Sequence, residues 1–311
     1  MSSNKLKLGI VGVGKIVRDQ HLPSIVKTNV FDVLATASRN ASLDGVEAFK
    51  DIDTMLDNTE LDAVALCMPP QYRYSAAKLA LSKGKHVLLE KPPGATVSEV
   101  DQLVALAQQN KVSLYATWHS RHGAAVELAK TALSERTLES VALTWKEDVR
   151  KWHPGQEWIW QAGGLGVFDP GINGLSILTH CLKSPAFVTK ANLLFPQNKA
   201  APIAASIDFQ TVTGIPITGE FDWRVSGAES WGIDFHTKQG LLQILDGGAR
   251  LVLNGEEQQV PFHSEHGEYE AIYSQFAKVI NGAQIDVDLT PLKLVADAFL
   301  LGSRQESDAF N

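Results

Sequence analysis

Short apolar runs alternate with amphipathic stretches over the first third of the chain. Lys5 to Val11 reads as a strand, and beyond Gly12-Val13-Gly14 the residues Ile16, Leu22, Ile25 and Val26 recur at helical spacing. Val30 to Ser38, Ala63 to Met68, His86 to Leu89 and Val112 to Thr117 are further strand-like runs. Ile52 to Leu56 and Ala76 to Ser82 read as helical pieces, with Gly84 where a helix C-cap falls. Thr96-Val97-Ser98-Glu99 has the form of a capping box and opens a helix with Val100, Leu103, Val104 and Leu106 along one side. Apolar strands interleaved with helices predict a parallel sheet covered on both faces, a doubly wound Rossmann α/β domain.

Beyond Arg121 the rhythm changes. A helix over Ala124 to Leu133 leads to Ser140 to Val149, which alternates like a half-exposed strand. Val188 to Leu194, Ala204 to Phe209, Ile217 to Trp223, Ile233 to His236, Leu241 to Leu245 and Leu251 to Leu253 follow, separated by Gly, Asn and Pro signals. This pattern predicts a large, mainly antiparallel open sheet. Helices over Tyr269 to Val279 and Pro291 to Leu301 close the chain. The expected organisation is a dinucleotide-binding domain over 1–122 and an α+β domain for substrate binding and oligomerisation over 123–311, its last helix packing back on the first domain.

Composition narrows the function classes. A length of 311 residues suits two domains, and 44% hydrophobic residues can fill their cores. The net charge of −7, with no basic cluster, argues against nucleic acid and anionic membrane as partners. Two cysteines, Cys67 and Cys181, form no disulfide framework and suit a reducing compartment. No apolar run approaches the ~18 residues of a membrane helix, and Leu8 to Val13 is too short and glycine-broken for an export signal. A soluble cytoplasmic protein is expected.

Two segments carry chemistry in the first domain. Glu90-Lys91-Pro92-Pro93 follows the strand His86 to Leu89, placing an ammonium where open α/β sheets bind ligands, at the carboxyl end of a strand. Pro92 forces Lys91 into an extended conformation, so the lysine is aimed. Gly12-Val13-Gly14-Lys15-Ile16-Val17 sits between a strand and a helix, as a dinucleotide turn requires. Gly12 permits the turn and Gly14 lets the backbone approach a pyrophosphate, although Val17 replaces the third glycine. The second strand ends in Ser38 and Arg39 rather than in the acidic residue of an NAD-selective site. A guanidinium fork with a hydroxyl beside it suits a 2′-phosphate, which favours NADP while leaving NAD usable. Lys15, Ile16, Met68, Pro69, Glu90 and Lys91 complete the expected cofactor set.

These segments, with Gly84-Lys85-His86-Val87 and Ser120-Arg121, resemble the glucose–fructose oxidoreductase/inositol dehydrogenase (Gfo/Idh/MocA) family. Gly163-Gly164-Leu165-Gly166-Val167-Phe168-Asp169-Pro170-Gly171-Ile172-Asn173 extends the likeness into the second domain, with Asn173 where the family usually has histidine. Together with the run at 14 to 23, that asparagine resembles the family's galactose and arabinose 1-dehydrogenases. The resemblance implies NAD(P)-dependent oxidation of an aldose at C1 to its lactone, with Lys91, Asp169 and Asn173 as the catalytic group. It also implies a homodimer or higher oligomer.

The residues themselves fit that reaction. Asp169 and Asn173 are four apart, so on a helix they face the same way. Asn173 can hydrogen-bond O1 but cannot titrate, so the proton falls to Lys91 or Asp169. Asp169 before Pro170 also reads as a purely structural N-cap. Four of the 7 tryptophans lie between 145 and 160. Glu147 and His153 are the candidates for ring hydroxyls, with His119, Trp152 and Trp231 lining the pocket. No His/Cys spacing suggests zinc, and hydride transfer needs no metal. The alternatives are a dehydrogenase acting on an inositol or another ring carbon, disfavoured by Asn173, and a non-catalytic sugar- or NADP-sensing regulator, which would have little use for Lys91 with Asp169.

Overall fold

Seven parallel strands form the sheet of the first unit, in the order Ile285–Asp286, Leu114–Ala116, His86–Leu89, Ala63–Leu66, Leu6–Val11, Phe31–Ala37 and Glu47–Phe49. These elements come from a computed structural model that describes residues 5–262 and 266–311. The chain divides into two compact units, Met1–Trp118 with Ser264–Asp288, and His119–His263 with Leu289–Asn311. The first unit therefore ends its opening segment at Trp118 and regains 25 residues late in the chain. It is the helix Gly267–Asn281, not the last helix Thr290–Leu301, that belongs with it.

The central strands of this sheet are buried on both faces, Ala63–Leu66 completely. Leu8, Ile10, Ala63, Ala65, Leu88 and Tyr115 pack on one face against Phe31, Ile272, Tyr273 and Phe276. The Phe276 ring stacks on Phe31 and Tyr115 at centroid distances of 5.5 and 6.1 Å. The capping box forms with one change. Thr96 Oγ1 accepts from the Glu99 amide at 3.2 Å, but the Glu99 carboxylate reaches back to the amide of Ala95. Gly84 takes φ +73° just past the helix Arg73–Ser82, as its C-cap position requires.

The helix after the glycine turn is irregular. A π-helical turn spans Val17–His21 before the regular helix Leu22–Thr28. It turns both Val17 and His21 into the interior, where each is fully buried.

The second unit is a nine-stranded sheet in the order Glu256–Glu257, Arg250–Leu253, Gly240–Leu245, Ser230–Thr237, Leu138–Lys146, Pro216–Asp222, Ala204–Thr211, Ala186–Pro196 and Ser303–Ser307. Two of its pairings are parallel, Leu138–Lys146 with Pro216–Asp222 and Ala186–Pro196 with Ser303–Ser307, and the rest are antiparallel. Val141, Leu143, Trp145, Ile217, Phe221, Ile233 and Phe235 alternate inward. Helix Phe168–Cys181 packs on this apolar side, as do Val126–Ser134 and Thr290–Leu301. Its glycines make the approach close: a Cβ on Gly171 would lie 2.6 Å from the Phe221 ring, and one on Gly174 2.6 Å from Trp145. The opposite side carries Asp208, Gln210, Thr218, Glu220 and His236, all exposed.

Candidate active site

Because the strands of the first unit run in parallel, their carboxyl ends share one edge, and each ladder continues one residue past its strand. Gly12 N donates to Ala37 O at 2.8 Å and Cys67 N to Val11 O at 2.8 Å. Glu90 N donates to Leu66 O at 3.2 Å, and Thr117 N to Leu89 O at 2.9 Å. Strand order reverses at Leu6–Val11, whose neighbours are Phe31–Ala37 on one side and Ala63–Leu66 on the other. Such a switch point opens a crevice for a ligand. A cavity of about 670 Å³ lies there, lined by Gly12, Gly14, Ser38, Arg39, Met68 and Pro69 among others.

The two glycines of the turn are required for different reasons. Gly12 takes φ +87°, and a Cβ there would lie 2.7 Å from the Met68 amide nitrogen, so the fold itself demands glycine. A Cβ on Gly14 would meet no protein atom within 4 Å. Packing does not require glycine at 14, and the open cradle fits a pyrophosphate approaching the backbone.

Arg39 is exposed, with its guanidinium carbon 5.7 Å from the centre of the Tyr72 ring. Among the described residues it forms no ion pair. The short third strand Glu47–Phe49 brings Lys50 into the same cavity, and its Nζ donates to the Arg39 carbonyl at 3.5 Å. Asp51 also lines the cavity, but its carboxylate caps the helix Ile52–Asn58 through the Thr54 amide at 2.8 Å, which holds its pKa below the usual carboxylate range. Lys50 was invisible in the sequence, since a three-residue edge strand has no hydrophobic pattern, and so was Tyr72, which ends the short turn Pro70–Tyr72. Lys15 and Ile16 do not line this cavity. They lie exposed past the turn, with Lys15 paired to Asp19 one helical turn on.

Lys91 is half-buried at the end of its strand, before a cis bond to Pro92. The neighbouring Glu90 belongs to the expected cofactor set. It is only 4% exposed, lines no part of the cavity and turns into the interior of the unit. Its Oε1 accepts from the Tyr269 hydroxyl at 2.8 Å and faces His21 Nε2 at 3.1 Å, while Oε2 accepts from the Lys91 amide at 2.6 Å.

In the second unit, one end of the sheet gathers most of the residues expected to meet a sugar. Asp169 lies inside the first turn of Phe168–Cys181 and is 3% exposed. The helix starts at Phe168 with Val167 as its N-cap, so the N-cap reading of Asp169 is overturned. Asn173, one turn on, is half-buried. His153 lies with Nδ1 3.8 Å from Asp169 Oδ2 and Nε2 3.7 Å from Glu147 Oε1. Glu147 is already engaged: Oε1 accepts from the Trp223 indole at 3.2 Å and Oε2 from Trp231 at 2.9 Å. Trp223, fully buried and 5.2 Å from the His153 ring, was missed in the sequence because it reads there as the last residue of an apolar strand. Trp152 is exposed, donates to Glu229 at 2.6 Å and lies edge-on to Trp231. His119 lies on the short turn His119–His122, its Nδ1 3.3 Å from Ser120 Oγ. The cluster presents an imidazole, a buried carboxylate and indole faces, the equipment needed to hold a polyhydroxylated ring.

A switch-point cavity with an open glycine cradle gives the first unit the form of a dinucleotide-binding domain. Residues 6–117 match the family described as an oxidoreductase family with an NAD-binding Rossmann fold. A galactose 1-dehydrogenase of Pseudomonas fluorescens is 44% identical over 306 residues, 98% of each chain. The crystal structure of a D-galactose-1-dehydrogenase from Rhizobium etli superposes with a TM-score of 0.94 at 54% identity, covering 100% of this chain and 99% of that one. The chain belongs to the Gfo/Idh/MocA oxidoreductases. A 3-ketoreductase of Actinomadura kijaniata, crystallised with NADP and TDP-benzene, shares the fold at 18% identity, with a TM-score of 0.83 over 98% of this chain and all of that one.

Proposed function

We propose that the protein oxidises an aldose of the galactose type at C1 to the sugar lactone, with NADP as the preferred cofactor and NAD accepted. The observation that supports this reading is the end-to-end likeness to two galactose 1-dehydrogenases, in a chain that carries Lys91, Asp169 and Asn173. Gly12, Gly14, Met68 and Pro69 would hold the dinucleotide, with Ser38 and Arg39 at a 2′-phosphate. The bound nicotinamide supplies the hydride acceptor.

Oxidation at C1 removes a hydride from carbon and a proton from O1. Lys91 and Asp169 are assigned that proton as a coupled pair, and Asn173 hydrogen-bonds O1 without titrating. A neutral Lys91 amine takes the proton directly. A cationic one stabilises the charge developing on O1 while Asp169 takes the proton. His153 and Asp169 hold ring hydroxyls. Glu147 acts one step back, fixing the Trp231 and Trp223 indoles.

The test is nicotinamide reduction by a panel of aldoses and inositols, with NAD and NADP in parallel. Galactose or arabinose should reduce the nicotinamide and release a lactone. Reduction by inositols alone would reject the C1 assignment, and tight nucleotide binding without turnover on any sugar would support a sensing role instead.

A further inference from the structure

Three buried ionisable side chains in the first unit have no part in the chemistry just described: His21, Arg73 and Glu90 are at most 4% exposed. Buried charges are costly unless paired and hydrogen-bonded, so their convergence on one turn calls for a reason. Glu90 and Arg73 close on the backbone around Lys91, and His21 closes on Glu90. Glu90 Oε2 holds the Lys91 amide at 2.6 Å. One Arg73 nitrogen donates to the carbonyls of both Glu90 and Pro92, and the other to Met68 O at 2.5 Å. Peptide groups before and after Lys91 are thus clamped from within the protein, and one of these bonds also ties down Met68 in the nucleotide cavity.

A second layer holds Glu90 in turn. Tyr269 donates to its Oε1 at 2.8 Å, and His21 spans from Glu90 at 3.1 Å to the Tyr273 hydroxyl at 2.7 Å. The Cys67 thiol completes the surroundings, 3.7 Å from His21 Nε2. The π-helical turn that carries His21 inward and the late helix that supplies both tyrosines therefore meet at this carboxylate.

We infer that Glu90, held by His21 and Tyr269, is a positioning residue for Lys91, fixing the backbone from which the amine projects. The inference rests on the proposed catalytic role of Lys91. A carboxylate suits the task because it only accepts, so a single side chain can take the amide, the phenol and the imidazolium together. The demand is for precision: displacement of a reacting group by 1 Å can cost about 10²-fold in rate.

The test compares Glu90→Gln and Tyr269→Phe with the wild type in the full chain, below the unfolding temperature of each. Glu90→Gln should lower kcat by at least 30-fold while the nucleotide Kd, read by fluorescence, changes less than 3-fold. Tyr269→Phe, which keeps the carboxylate but removes one donor, should lower kcat about 3- to 10-fold and serves if Glu90→Gln does not fold. Phe276→Leu, a core change on the same helix that takes part in none of these hydrogen bonds, should destabilise the unit yet keep kcat within 2-fold. Lys91 is followed independently by the NMR signal of its ¹³C-dimethylated amine, assigned by its loss in Lys91→Met. That signal should shift in Glu90→Gln. An unchanged kcat and Lys91 signal in both variants would overturn the inference, as would a fall in kcat matched by Phe276→Leu. Should the wild type oxidise no sugar, the catalytic reading fails, while the Lys91 signal still decides whether Glu90 positions the amine.

Discussion

Single residues carry the sharpest consequences. Lys91→Met removes the amine and keeps the apolar stem, so kcat should fall at least 10²- to 10⁴-fold, the span of general acid–base catalysis, with nucleotide affinity little changed. Near-normal turnover would remove Lys91 from the mechanism. The two glycines of the turn should separate fold from ligand. Gly12→Ala forces a Cβ into left-handed backbone against Met68 and should cost about 2–4 kcal/mol in denaturant unfolding. Gly14→Ala meets open space and should shift stability by no more than about 0.5 kcal/mol while weakening nucleotide binding. Loss of stability at 14 would show that packing had set that glycine. Arg39→Ala should lower kcat/KM for NADP about 10- to 100-fold, from a lost charge-assisted contact of about 1.5–3 kcal/mol, and leave NAD within about 3-fold. Equal losses for both cofactors would place Arg39 away from the 2′-phosphate.

At the scale of elements, the His21–Glu90 pair ties the irregular first helix to the end of the strand His86–Leu89, just before Lys91. Burial alone would push the His21 imidazolium down. The surrounding Cys67, Tyr273 and Glu90 outweigh it and hold the pKa well above the ordinary 6.5. Burial and the Glu90 carboxylate keep the Tyr269 phenol raised, and burial pushes Tyr273 up to about 12, so both stay protonated through neutral pH. A raised histidine pKa means the folded state holds its proton more tightly than the unfolded chain. The resulting stabilisation is complete below about pH 6.5 and is lost as pH rises through the folded value. His21→Gln should therefore destabilise the protein most at or below pH 6.5, by about 3–5 kcal/mol if the pair behaves as a broken buried ion pair, and progressively less above it. A pH-independent difference in unfolding free energy would mean that His21 is neutral.

Elements also show what a sequence can reveal. The apolar strands Ala63–Leu66 and His86–Leu89 were legible because burial on both faces leaves an unbroken hydrophobic run. The return of Ser264–Asp288 was not, since an amphipathic helix announces a buried face without naming what covers it. The π-helical turn at Val17–His21 was also hidden, as one inserted residue leaves no period. The same limit explains the site. Glycine turns and Lys91 sit at strand ends and could be placed by topology, whereas the inward turn of Glu90 and the engagement of Glu147 with two indoles depend on rotamers and long-range partners. Asp169 was ambiguous because Asp-Pro suits a helix start, and two residues of difference in that start change a cap into a buried carboxylate of the first turn.

For the whole molecule the claim is a direction of hydride flow, from C1 of an aldose to the nicotinamide. Among the described residues no helix is long and apolar enough to cross a membrane. The most direct measurement uses galactose deuterated at C1, with the reduced nucleotide isolated after turnover and analysed by NMR and mass spectrometry. The account predicts that the nicotinamide carries one deuterium and that the sugar is recovered as its lactone. A nucleotide reduced without deuterium, from a sugar oxidised at another carbon, would contradict it.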